Sequence, residues 1–214
     1  MRDKGKIWTL QQSRGDAVGV HACVGITKIE AKLIERLLRV NNIVEGPKIT
    51  YQKTQKDKKP LPIDFKIDKE GMLHYEAVLK TLLLEDFADG KHKEIFGDYD
   101  DFIPYVPTGA RKEIDILLLK YNGNDDILWY QILELKHGEF TKQELQKLIT
   151  YEKWIIRERA ENSLQVYPVA LAFEFNDEVI DFARKRKEYK EKSIRLIKYY
   201  FDSKAKSIKL EELE

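Results

Sequence analysis

Asp115, near the head of the apolar run 114–121, and Glu134 and Lys136, at the tail of the run 127–135, are the residues best suited to chemistry. Carboxylates beside a sheet core must be solvated, paired or metal-bound, because an unpaired charge out of water is costly. Glu134 and Lys136 are two apart, so on a strand they point to one face. Folding the hairpin about Asn124 sets Asp115 opposite position 133, next to Glu134, where direct and diagonal neighbours touch. Register and bulging decide whether the acids share a face. Hard ions such as Mg2+ take oxygen ligands, often one or two carboxylates plus waters and substrate phosphate. Such an ion neutralises phosphate and makes a nucleophile of water. A neighbouring lysine orients that water, moves a proton or stabilises transition-state charge. Glu76, on a helix expected just before these strands, is the best-placed further carboxylate.

The acid-x-lysine spacing alone is a weak signal. It recurs at Glu30/Lys32, Asp57/Lys59, Asp64/Lys66, Asp89/Lys91, Glu188/Lys190 and Asp202/Lys204, mostly on expected helices or loops where charges are solvated. Only Glu134/Lys136 ends an apolar strand that a local hairpin pairs with an acid-bearing strand. The competing reading is a surface salt bridge, which contributes about 0–1 kcal/mol.

The surrounding elements must hold these side chains. A strand is expected around 7–11, and a helix after Thr27, whose spacing to Glu30 suits a capping box. Its face is Ile29, Leu33, Ile34, Leu37 and Leu38, and Asn41 and Asn42 end it. Strand-like runs at 48–54 and 63–67 flank a polar, basic joint carrying Lys56, Lys58 and Lys59. A boundary near 68–71 divides a small N-terminal α+β module, 1–70, from a larger domain, 71–214. Leu73, Ala77, Val78, Leu82 and Leu83 have helical spacing, with Gly90 as a stop. Pro104 makes 102–106 an edge or bulged strand. The turn Asn122-Gly123-Asn124-Asp125 closes the next two strands into a hairpin. A helix over 141–161 follows, then a continuous apolar strand at 166–175 covered on both faces. A helix from Asn176 to about 192 and a last strand at 194–201 complete an α/β sandwich with a mixed sheet.

Composition narrows the class. Hydrophobic residues make up 43% and charged ones 35%, and 38 basic against 37 acidic residues nearly cancel. Any attraction to nucleic acid must therefore come from local patches. Lys53, Lys56, Lys58 and Lys59 form one patch, and Arg184 to Lys187 with Lys190 and Lys192 another, the second reading rather as an exposed, charge-alternating helix face. The single cysteine, Cys23, excludes a disulfide framework or a multi-cysteine metal site. His21, His74, His137 and the acidic run Asp98, Asp100, Asp101 read as structural or capping residues. No segment resembles a signal peptide or bilayer span, so a cytoplasmic protein is expected.

Ile114-Asp115 followed by Glu134-Leu135-Lys136, after a helix bearing Glu76, resembles the PD-(D/E)xK nuclease superfamily, with Ile114 in place of the proline. The order helix, three strands, helix, strand is also similar. Gly109-Ala110-Arg111-Lys112-Glu113-Ile114-Asp115-Ile116-Leu117 resembles the segment before the metal aspartate in archaeal resolvases and NucS-type endonucleases. The resemblance covers about the C-terminal two-thirds and implies a restriction-endonuclease-like core. It implies that Asp115, Glu134 and the Leu135 carbonyl hold Mg2+, with Mn2+ as substitute. Lys136 then supports the attacking water, and Glu76 aids the metal shell. Gln146 corresponds to the Q-x-x-x-Y glutamine of RecB-like and NucS-like members, although Tyr151 stands one position late. Arg111 and the Lys53 to Lys59 patch would then contact DNA.

The expected function is metal-dependent hydrolysis of DNA phosphodiester bonds through a metal-activated water, in repair or recombination. The N-terminal module would grip substrate or form a homodimer. The alternatives are a nucleic-acid-binding or assembly protein that keeps the fold without turnover, and a module whose charged patches bind protein.

Overall fold

The computed structural model describes residues 27–41, 66–69, 71–108, 112–188 and 193–213. Helix α1 (Lys28–Asn41) opens on the expected capping box: Glu30 N–H donates to Thr27 Oγ1 at 3.1 Å and Thr27 N–H to Glu30 Oε2 at 2.9 Å. Strands β1 (Ile67–Lys69) and β2 (Met72–Leu73) pair antiparallel. The rest of the N-terminal stretch, with His21, Cys23, Lys53, Lys56, Lys58 and Lys59, lies outside the described residues, as does Arg111.

Helix α2 (Glu76–Ala88) starts later than its apolar spacing suggests, because Leu73 is spent on β2, where it is wholly buried. Helix α3 (Lys93–Phe96) was not foreseen. Strands β3 (Asp101–Thr108), β4 (Lys112–Tyr121) and β5 (Ile127–Phe140) form an antiparallel meander. Helix α4 (Lys142–Glu158) is capped by Thr141, whose hydroxyl takes the Gln143 N–H while Glu144 takes the Thr141 N–H. Strand β6 (Val166–Phe175), helix α5 (Asp177–Glu188), β7 (Arg195–Asp202) and β8 (Ser207–Glu212) complete the fold. β8 is an addition: the sequence reading ended on β7, and 203–206 turn the chain back against it.

The six strands run in the order β3-β4-β5-β6-β7-β8, parallel at β5–β6 and β6–β7 and antiparallel elsewhere. Pro104 sits on the edge strand β3, where a missing N–H costs no ladder bond. One sheet face packs Leu117, Leu119, Tyr130 and Ile132 under Leu145, Leu148 and Ile155 of α4 and Val179 of α5. The other packs Ile116, Leu118, Leu133 and Leu135 under Leu79, Leu83 and Phe87 of α2 and Phe96 of α3. β6 lies between the two layers and is apolar on both faces for that reason. The restriction-endonuclease-like order implied by the resemblance is present as α2, β3–β4–β5, α4, β6. No described helix is long and apolar enough to cross a membrane.

Candidate active site

The hairpin register turns on one residue. Lys120 pairs with Trp129 but Tyr121 with Ile127, so β5 carries an extra residue, Leu128, near the turn. This bulge shifts the ladder by one, and Ile116 pairs with Leu133. Asp115 is thereby level with Glu134 rather than with Leu133, as simple folding about Asn124 suggests. The described β4–β5 pairing ends at Ile116–Leu133, while β5 continues beside β6. At this fork the Asp115 carboxylate replaces a backbone partner: its Oδ2 accepts the Leu135 N–H at 2.9 Å.

Helices from both layers reach the fork. Lys80 of α2 places Nζ 2.5 Å from Asp115 Oδ1. Lys136 Nζ lies 3.2 Å from Glu76 Oε2, and His137 Nδ1 lies 3.8 Å from the same oxygen. Glu76 opens α2, where a carboxylate also benefits from the positive end of the helix dipole. From the other layer, Lys147 of α4 approaches Glu134 Oε1 at 3.8 Å. Beyond Lys136 the β5–β6 register slips by one between Lys136 and Glu139. Such bulges re-aim side chains beside active sites. Tyr199 pins this one: its hydroxyl donates to the His137 carbonyl at 2.5 Å and accepts the Leu73 N–H at 3.1 Å.

Glu134 is the most perturbed group of this cluster. It is 5% exposed, and its Oε2 has no hydrogen-bond partner. Burial first, and then the charge of Asp115, push its carboxyl up to about 8, with Glu76 adding to the push and Lys147 opposing it. Burial disfavours the Lys136 ammonium, yet the hydrogen bond and charge of Glu76, helped by Glu144 and Glu134, outweigh it and raise its pKa. Tyr151 is buried nearby, its phenol raised by burial and by the charges of Glu134, Asp115 and Glu113.

Asp115, Glu134, Lys136 and Glu76 therefore come together. Gln146 does not join them: it is exposed and lines a cleft with Lys142, Glu178, Asp181 and Phe182. Its neighbour Lys147 takes the inward position, because Lys147 and Tyr151 are one helical turn apart on the face toward Glu134. The spacing Lys147-x-x-x-Tyr151 was the available signal. Lys80 was missed too, although it stands four residues after Glu76 on one helix face. Of the remaining candidates, His74 pairs with Asp68. Arg184 pairs with Asp181, and Arg186 clamps buried Glu152 of α4 with contacts of 2.7 and 2.8 Å.

Two close carboxylates and the Leu135 carbonyl are hard oxygen donors of the type Mg2+ takes. The Glu134 oxygen without a hydrogen-bond partner, beside Asp115, is a donor that a cation can take up. Among the described residues no three His, Cys, Asp or Glu side chains are arranged to hold a metal. A shell here would therefore need waters and a phosphate oxygen beyond the protein's donors.

The fold and this cluster define an α/β protein with carboxylates and lysines gathered where its central strands part. No family model and no curated protein sequence matches the chain. It is similar in structure to a repair endonuclease from Pyrococcus abyssi, with 14% identity and a TM-score of 0.39 over 57% of this chain and 46% of that one. It is also similar to EndoMS in apo form, with 17% identity and a TM-score of 0.34 over 53% and 44%. The chain thus covers less than half the length of either protein.

Proposed function

We propose that the chain is a metal-dependent nuclease that hydrolyses DNA phosphodiester bonds, with Mg2+ as its ion and Mn2+ as a substitute. The observation that carries this reading is Glu134, a buried carboxylate with a free oxygen and a raised pKa beside a second carboxylate. Asp115, Glu134 and the Leu135 carbonyl would hold the ion. Bound there, it would neutralise phosphate charge and lower the pKa of a water. Lys136, paired with Glu76 at 3.2 Å, would orient that water or meet charge developing on the phosphate. Tyr151 and the apolar floor keep bulk water from the inner side of Glu134. DNA as the substrate follows the family resemblance of the motif residues.

The test is cleavage of labelled single-stranded, duplex and branched DNA with Mg2+ or Mn2+. EDTA, Asp115→Ala and Lys136→Ala should each abolish it while circular dichroism stays native. A second reading, a DNA-binding protein without turnover, is favoured by the Lys80–Asp115 pair, which balances the aspartate without a metal. DNA binding with no cleavage in any divalent ion would select that reading.

A further inference from the structure

We propose that Lys80 is a substrate-contacting cation held in reserve, neutralising Asp115 in the free protein and passing to the substrate phosphate when Asp115 is engaged by a divalent ion. The inference rests on the nuclease reading above. Lys80 is only 8% exposed, and Asp115 is its ion-pair partner at 2.5 Å. A buried ammonium stripped of its partner is strongly unfavourable. Once Asp115 turns to another cation, Lys80 must find a new anion, and the one that the reaction brings is the phosphate.

The ammonium has a way out. Its Nζ lies 4.2 Å from the ring centroid of Tyr105, a residue 52% exposed. An aromatic face holds a cation without discharging it. The ladder pairs Pro104 with Ile116 and Val106 with Ile114, so Tyr105 is level with Asp115 on the neighbouring strand. Tyr105 also takes φ 54°, a left-handed backbone inside a strand. Non-glycine residues keep such strain where surrounding structure imposes it, often at functional sites. The flexible lysine stem can thus swing its charge from Asp115 along the Tyr105 ring toward solvent, where a DNA backbone arrives.

The role predicts effects of opposite sign. In Lys80→Met the metal meets no competitor, and Mn2+ titrated calorimetrically into DNA-free protein should bind about tenfold more tightly. DNA affinity measured in Ca2+ should fall, and single-turnover cleavage should slow about 100-fold. Lys80→Arg, which keeps the charge, should retain DNA binding. If Lys80→Met does not fold, Lys80→Gln carries the same comparison. Mn2+ affinity that is unchanged or weaker without the lysine charge overturns the exchange and makes Lys80 a brace. If wild type cleaves DNA but the variant keeps wild-type Mn2+ and DNA affinity, the exchange fails and the nuclease reading stands. If wild type binds Mn2+ yet cleaves nothing, the nuclease reading fails, and the calorimetry still decides whether Lys80 competes for Asp115.

Discussion

Acids and lysines gather at both ends of the β4–β5 hairpin, and the two ends treat them in opposite ways. Near the turn, Lys120 lies 2.7 Å from Asp98 and 3.2 Å from Asp100, and Lys93 reaches Asp98 at 2.6 Å. Asp100 also accepts the Tyr121 N–H, and Asp101 accepts the Lys28 N–H and the Tyr121 hydroxyl. Hydrogen bonds from Lys120 and Lys93 hold the Asp98 carboxyl down to about 2. At the open end, Glu134 sits at about 8, pushed there by burial and by Asp115. Residue types are nearly the same; access to water and the number of partners differ. The turn end has relaxed into a brace, whereas the open end keeps a buried carboxylate that only a proton or an added cation can neutralise. Clusters perturbed in this way concentrate at functional sites.

Breaking the contrast should have its largest effect on cleavage. Asp115→Ala and Lys136→Ala are expected to cut the single-turnover rate by at least about 100-fold, while Asp98→Ala leaves it at the wild-type value. Equal losses from the two ends would dissolve the distinction.

Glu134→Gln should come next. A carboxyl whose folded pKa lies above its unfolded value favours the native state when protonated, so the metal-free protein should lose stability as pH rises from about 4.5 to about 8. Thermal melts in EDTA across that window should show the slope in wild type and a flatter one in Glu134→Gln. The variant should be the more stable of the two at the alkaline end and should lose Mn2+ binding. A wild-type slope of the opposite sign would show that Glu134 is not the strained group.

Lys147→Met should act through the same carboxylate more weakly. It removes the cation that opposes the rise of the Glu134 pKa, so the pH dependence should steepen with little change at low pH. The smallest effect belongs to Asp98→Asn. Its depressed carboxyl contributes stability above its ordinary value of 3.8 that is lost as pH falls toward about 2. Because the pair is exposed, melts at neutral pH and high salt should match wild type. A clear gain there would mean that the turn end is strained too.

Periodicity carried most of the architecture. The two-sided apolar run at β6 required a sheet covered on both faces, and the Thr27/Glu30 spacing located the start of α1. Where it failed, a tertiary partner had reassigned a residue: Leu73 reads as helical but is used by β2. β8 escaped notice because it is a short edge strand with only two apolar residues, Ile208 and Leu210.

The candidate site divides in the same way. The types of Asp115, Glu134, Lys136 and Glu76, and their place at the ends of apolar elements, were legible in the chain because charge beside a core is costly wherever it occurs. That Asp115 is level with Glu134, that Lys80 and Lys147 supply the opposing charges, and that Gln146 faces away were decided by the fold. A single bulged residue sets the register, helix rotation sets which lysine points inward, and burial sets which carboxylate is strained. All three depend on packing between elements distant in sequence.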